Sequence, residues 1–135
     1  VYGPRQDPAS PYSGVISIFC DRLKVGLPLT VFGDGGQTRD FVYVGDVVRT
    51  LLAAIEAVTR QAQVFNVCTG LGTSIHELAL TIASILGPPP RIAFGPARPG
   101  DIRASLGDPS GARRGLGVSA DTSLREGLAH TLAAT

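Results

Sequence analysis

The chain has 135 residues, a size that buries about two-thirds of its unfolded surface, so one core can form without disulfides or metal. Charged residues make up 17% and apolar residues 44%, which excludes a disordered chain, and a net charge of +1 excludes a general nucleic-acid surface. Eleven of the twelve basic residues are Arg, so chemistry that needs a lysine has one candidate, Lys24.

Pro4, Pro8 and Pro11 make the first dozen residues an extended loop. Val15, Ile16, Phe19, Cys20 and Leu23 then recur at helical spacing and predict a helix from Tyr12 to Val25, ended by Gly26. Leu29 to Phe32 reads as a strand, Gly33 to Gly36 as a tight turn, and Phe41 to Val44 as an alternating strand. Asp46 is an expected N-cap for a helix reaching Val58, and Val64 to Cys68 an expected buried strand. Ser74 and Glu77 form a capping box for a helix that Gly87 ends. Arg91 to Phe94 is the next strand, and Gly95 to Asp101 is too rich in proline and glycine for anything but a shaped loop. Asp108 with Pro109 behind it starts a short helix, and Asp121 or Ser123 starts a last one carrying Leu124, Leu128 and Leu132. The fold class is mixed α/β, with no internal repeat and no dividing linker.

Much familiar chemistry is missing. The Gly115-Leu116-Gly117 string follows a helix instead of a strand, which makes it a helix-terminating turn and not a dinucleotide fingerprint. Lys24 lacks the flanking residues of a phosphate loop, and no Tyr-x-x-x-Lys pair is present. His76 and His130 sit in a capping turn and an amphipathic helix, away from any nucleophile, and with Cys20 and Cys68 they show no zinc spacing. The stretch Val47 to Val58 is too short for a membrane span and carries Arg49 and Glu56, and no signal peptide is visible.

Two arginines remain in glycine-rich turns. Arg39 follows Gly33 to Gly36, and Arg98 lies in the loop before Asp101. Two guanidinium forks presented this way can clamp a diphosphate while Asp101 accepts from a ribose hydroxyl. The alternative is that Arg39 and Asp40 form a local surface pair worth little. With no Met in the composition and Val1-Tyr2 reading as a strand end, the chain is expected to be a piece of a longer one.

Five strings occur in one order: Val-Tyr-Gly-Pro-Arg-Gln (1 to 6), Val-Phe-Gly-Asp-Gly-Gly-Gln-Thr-Arg-Asp-Phe-Val-Tyr-Val-Gly-Asp-Val (31 to 47), Phe-Asn-Val-Cys-Thr-Gly (65 to 70), Arg-Pro-Gly-Asp (98 to 101) and Leu-Gly-Val (116 to 118). Together they resemble the C-terminal part of the NAD-dependent epimerase/dehydratase family of extended short-chain dehydrogenases/reductases, UDP-glucose 4-epimerase-like members in particular. The resemblance covers essentially the whole chain.

It implies that residues 1–135 are the nucleotide-sugar-binding portion of a cytoplasmic, homodimeric isomerase that takes a UDP-sugar. The NAD-binding Rossmann domain and the catalytic residues would precede Val1, so the chain alone is expected to be inactive. Arg39 resembles the arginine that grips the diphosphate, Arg98 its second clamp, and Asp101 the acid that meets the ribose. The backbone at Thr30 and Phe32 resembles the strand edge that reads uracil, and Val15 or Ile16 would flank the nucleotide. Ser105 stands where the family places a large tyrosine or a small residue beside the sugar, which implies tolerance of N-acetylhexosamines. A 4,6-dehydratase or a UDP-glucuronate decarboxylase shares these strings, and a non-catalytic nucleotide-binding module is the reading from another class. The apolar faces of the Asp46 and Ser74 helices are expected to be left uncovered, so the isolated chain should self-associate or be marginally stable.

Overall fold

A computed structural model describes residues 1–10, 14–57 and 61–134. In chain order the elements are α1 (Val15–Lys24), β1 (Leu29–Phe32), β2 (Thr38–Arg39), α2 (Val44–Glu56), β3 (Thr73–Ser74), α3 (Ile75–Leu86), β4 (Ile92–Gly95), β5 (Ala104–Ser105), α4 (Ser110–Leu116) and α5 (Leu124–Ala133). The mixed α/β class is as expected. β1 and β4 pair in parallel, with Leu29 opposite Ile92 and Phe32 opposite Gly95. A second small sheet has β2 between β3 and β5, antiparallel to the first and parallel to the second.

Helix α3 is central because its apolar residues recur at 75, 78, 79, 82 and 83, one face of a 3.6-residue helix. Leu78, Ala79 and Ile82 are fully buried against Ile16 and Phe19 of α1, Leu29 and Val31 of β1, and Leu128 of α5. The capping box at its start forms as expected: Ser74 Oγ accepts from Glu77 N at 3.1 Å and Glu77 Oε2 accepts from Ser74 N at 2.9 Å. Gly87 ends the helix with φ +116°, a conformation open to glycine.

Several expectations need correction. Helix α1 begins at Val15, and Tyr12 lies outside the described residues. Phe41 to Val44 is not a strand: Tyr43 makes a single bridge to Tyr2, and α2 already begins at Val44. Asp46 is therefore inside the first turn of α2 and does not cap it. Its carboxylate is fully buried instead, accepting from Thr122 Oγ1 at 2.7 Å, from Thr122 N at 3.3 Å and from Arg49. Helix α2 ends at Glu56, and Val58 lies outside the described residues. Val64 to Cys68 forms no strand and Val64 is 96% exposed, since no neighbouring strand supplies hydrogen bonds to that segment among the described residues.

At the remaining ends the chemistry is as expected with small shifts of position. Asp108 accepts from Ser110 N at 2.9 Å in front of α4, while Pro109 adopts the helical conformation. Gly117 closes α4 in the left-handed conformation. Ser123 caps α5 through Glu126 N at 3.3 Å, whereas Asp121 pairs with Arg49 at 2.7 Å.

The two helices expected to be uncovered behave differently. On α2, Val48, Leu51, Leu52 and Ile55 are exposed; on α3 the exposed large apolar residue is Leu80. No helix among the described residues is long and apolar enough to cross a membrane.

Candidate functional site

A cleft of about 580 Å³ runs between α1 and β1 and opens toward the loops that follow β1 and β4. It is floored by Ile16, Phe19 and Val31, and its polar groups arrive from three places in sequence. Arg22 comes from α1, Gln37, Arg39 and Asp40 from around β2, and Arg98 and Asp101 from the loop after β4. Of the eight residues singled out from sequence, Val15, Ile16, Thr30, Phe32, Arg39, Arg98 and Asp101 line this cleft. Ser105 does not: it lies exposed on β5, in register with Arg39.

The loops are shaped by their glycines and one proline. Gly35 has φ +75°, and a Cβ there would stand 3.1 Å from Val31 Cγ1 and 3.2 Å from His76 Cβ, so the turn lies against the start of α3. In Arg98-Pro99-Gly100-Asp101, Asp101 N donates to Arg98 O at 3.2 Å and Gly100 has φ +79°. Proline followed by a positive-φ glycine is the signature of a type II turn, which fixes the distance between Arg98 and Asp101.

Arg39 is held on three sides. Its Nη1 donates to Thr38 O at 2.8 Å and Ile102 O at 2.6 Å, and its Nη2 donates to Asp101 Oδ1 at 2.5 Å. One Nη2 hydrogen and the Nε–H are left for a ligand. The other carboxylate oxygen of Asp101 accepts from Gln37 Nε2 at 3.3 Å, and the same nitrogen donates to Phe32 O at 2.9 Å. Gln37, only 9% exposed, thus fastens the edge of β1 to the acid of the loop.

Arg98 is held differently. Its guanidinium carbon lies 3.8 Å from the centroid of the Phe32 ring, a cation–π contact, and no ion pair engages it among the described residues.

The edge of β1 follows from strand geometry. Leu29 N donates to Arg91 O at 2.8 Å and Gly33 N to Gly95 O at 3.0 Å, so alternate residues face β4. In a parallel strand the residues between them, Thr30 and Phe32, turn their N–H and C=O groups to the opposite edge. That is the edge Gln37 reaches.

Asp40 settles the alternative of a local Arg39–Asp40 pair. Its carboxylate accepts from Thr69 Oγ1 at 2.6 Å, Thr69 N at 3.0 Å, Gly70 N at 2.9 Å and Gly107 N at 3.4 Å, and Arg39 goes to Asp101. Burial pushes the Asp40 carboxyl upward, and these donors outweigh it, leaving the group below the ordinary aspartate range. Arg103 donates to Asp34 Oδ1 at 2.6 Å; that bond, with a second from Gly36 N, lowers the exposed Asp34 carboxyl.

The rest of the chemistry lies elsewhere. The His76 ring stacks on Phe94 at 6.5 Å, and His130 lies 5.9 Å from the Tyr43 ring; neither lines the cleft. Burial raises the Cys20 thiol to about 11, so it is not a thiolate near neutral pH. No group of three or more metal-ligating side chains occurs among the described residues. The Gly115-Leu116-Gly117 string is no dinucleotide fingerprint, because it ends helix α4 and does not follow a strand. Sequence reasoning missed Arg22 and Gln37. Arg22 carried a signal, since it falls three and four residues after Phe19 and Ile18.

A model of the NAD dependent epimerase/dehydratase family matches residues 1–68. The chain is 44% identical to UDP-glucose 4-epimerase of Mycolicibacterium smegmatis, over 98% of its own length and 42% of that protein's. It is 35% identical to UDP-glucuronic acid decarboxylase 1 of Arabidopsis thaliana, over 94% of its own length and 28% of that protein's. Among solved structures, UDP-glucose 4-epimerase with UDP-glucose from Thermotoga maritima superposes with a TM-score of 0.91 at 41% identity, covering 98% of this chain and 42% of that one. The chain thus spans less than half the length of these relatives. A family match over half of the residues, joined to a fold shared along nearly the whole chain, makes it a member of the NAD dependent epimerase/dehydratase family.

Proposed function

We propose that the α1–β1 cleft holds the nucleoside diphosphate of a UDP-sugar, and that residues 1–135 are the nucleotide-sugar-binding portion of an NAD-dependent nucleotide-sugar 4-epimerase. The observation that carries this reading is the meeting of Arg39, Arg98 and Asp101 at one end of a cleft whose other wall is the edge of β1 turned away from β4. Arg39, fixed by three acceptors, offers a preorganised donor face to one phosphate. Arg98, held against the Phe32 ring, presents its guanidinium to the other phosphate without giving up that contact. Asp101 keeps unfilled lone pairs beside Arg39 for a ribose hydroxyl. Thr30 and Phe32 present their main-chain edge to the base, Phe32 O sharing its acceptor capacity with Gln37, and Val15 or Ile16 lies against the nucleotide.

NAD is proposed to be bound by a domain outside these residues, since the one glycine string resembling a dinucleotide fingerprint closes helix α4. The chain's own contribution is to bind and orient the substrate. We propose that the exposed apolar face of α2 packs against that domain in a cytoplasmic homodimer. The sugar is proposed to be a hexose or an N-acetylhexosamine; the second rests on Ser105, which is small and exposed but stands outside the cleft lining. A decarboxylase remains the enzymatic alternative because of the 35% identity to a UDP-glucuronic acid decarboxylase.

Calorimetric titration of the chain with UDP tests the reading. Measurable affinity that falls about ten-fold or more in Arg39→Ala, the loss of one charge-assisted hydrogen bond, supports it. Equal affinity in the variant contradicts it. Incubated with NAD and UDP-glucose, the chain alone should form no 4-epimer; product would overturn the division of labour proposed here.

A further inference from the structure

Arg22 stands at the far end of the cleft from the two clamp arginines, and no motif brought it to notice. Helix α1 starts at Val15 beside the clamp end, and Arg22 lies seven residues, or about 10 Å, further along it. Arg22 Nε donates to Pro28 O at 2.7 Å, which pins the side chain next to the first residue of β1. From Pro28 to Phe32 the strand runs about 13 Å back toward Arg39, Arg98 and Asp101. Two elements running in opposite directions therefore agree on one polarity, with the anion-binding groups at one end and Arg22 at the other.

Around the middle of the cleft the lining includes Ile18 and Phe19 from α1 and Thr30 from β1. Arg22 is half-buried and has no ion pair among the described residues. With Nε committed to Pro28, its two Nη groups have no protein acceptor among the described residues and stand at the end of an apolar slot, where a ligand acceptor would complete them.

Resting on the nucleoside-diphosphate reading of the cleft, we infer that Arg22 selects the base: its Nη groups donate to the O4 carbonyl of a 2,4-dioxopyrimidine and reject the 4-amino group of cytosine. The choice of atom follows from the ring. N1 carries the ribose, so C4 is the ring position opposite the phosphates and the one that reaches furthest along the cleft. O4 of uracil or thymine accepts there, whereas cytosine presents a donor to a donor.

The test is the ratio of UDP to CDP affinity, measured by calorimetry for the chain, Arg22→Ala and Arg22→Gln. A partly misfolded variant lowers both affinities alike, so the ratio reads the contact. The expected result is a preference for UDP of about ten-fold or more, abolished in Arg22→Ala and shifted toward CDP in Arg22→Gln, whose amide also offers an acceptor. UDP binding with no preference over CDP, or a preference that either variant retains, overturns the inference and leaves the cleft's nucleotide reading intact. Absence of UDP binding by the unmodified chain overturns both.

Discussion

Arg39 Nη2 reaches Asp101 Oδ1 at 2.5 Å, joining strand β2 to the loop after β4 across 62 residues of sequence. The contact makes one unit of a cation and an acid that, in the proposed complex, serve different parts of a nucleotide. The pair is about a third exposed on either side, so its worth to stability is small, on the order of 1 kcal/mol or less, and its worth is positional. Asp101→Ala should therefore leave the melting temperature within a few degrees of the parent and weaken UDP binding several-fold. Thermal melts and titrations of the same sample separate the two effects.

Arg98 and Phe32 make a different kind of contact. If the ring holds the guanidinium ready for a phosphate, Phe32→Leu removes a cation–π term of about 0.5–1 kcal/mol at an exposed site. UDP affinity should fall roughly two- to five-fold, and by more in Arg98→Ala. The loss in Arg98→Ala should also shrink as salt is raised, because one charge contact is gone. Titrations at two ionic strengths check both statements.

Asp40 organises the loops behind the cleft. Its folded-state value lies below the ordinary aspartate value near 3.9, so the stabilisation is full above that pH and is lost as pH falls through the folded value. Asp40→Asn turns an amide N–H toward the donors of Thr69, Gly70 and Gly107, and should cost about 1–3 kcal/mol at neutral pH. Denaturant melts from pH 7 to pH 3 should show a shallower acid loss in the variant than in the parent.

Helix α2 presents Val48, Leu51, Leu52 and Ile55 to solvent on one side of the molecule. Such a patch drives association. The isolated chain should elute as multimers in size exclusion with light scattering, and Leu51→Glu with Ile55→Glu should shift it to monomer. A monodisperse parent would contradict the proposed docking role of this face.

Much of this was legible in the amino-acid sequence, and the failures have a common cause. Local chemistry read well where the partners were neighbours: the Ser74–Glu77 box, the glycines at 87 and 117, and the turn at 98–101 all behave as their residues dictate. It failed where a distant partner won. Asp46 has the composition of a cap but is claimed by Thr122, 76 residues away, and the apolar run Val64 to Cys68 needs a neighbouring strand to become one. Arg39, Arg98 and Asp101 could be named from motifs, yet the choice of Asp101 over Asp40 as the partner of Arg39 was fixed by the placing of β2 beside the loop after β4. Arg22 was visible as a basic residue on an apolar helix face, and its meaning appeared once Pro28 placed it at the end of the cleft.

The most direct measurement is an amide NMR map of the chain with and without saturating UDP. The account predicts that the largest shifts fall on Val15, Ile16, Thr30, Phe32, Arg39 and Asp101, along one continuous path between α1 and β1. Shifts confined to other surfaces, or none at saturating UDP, would contradict it.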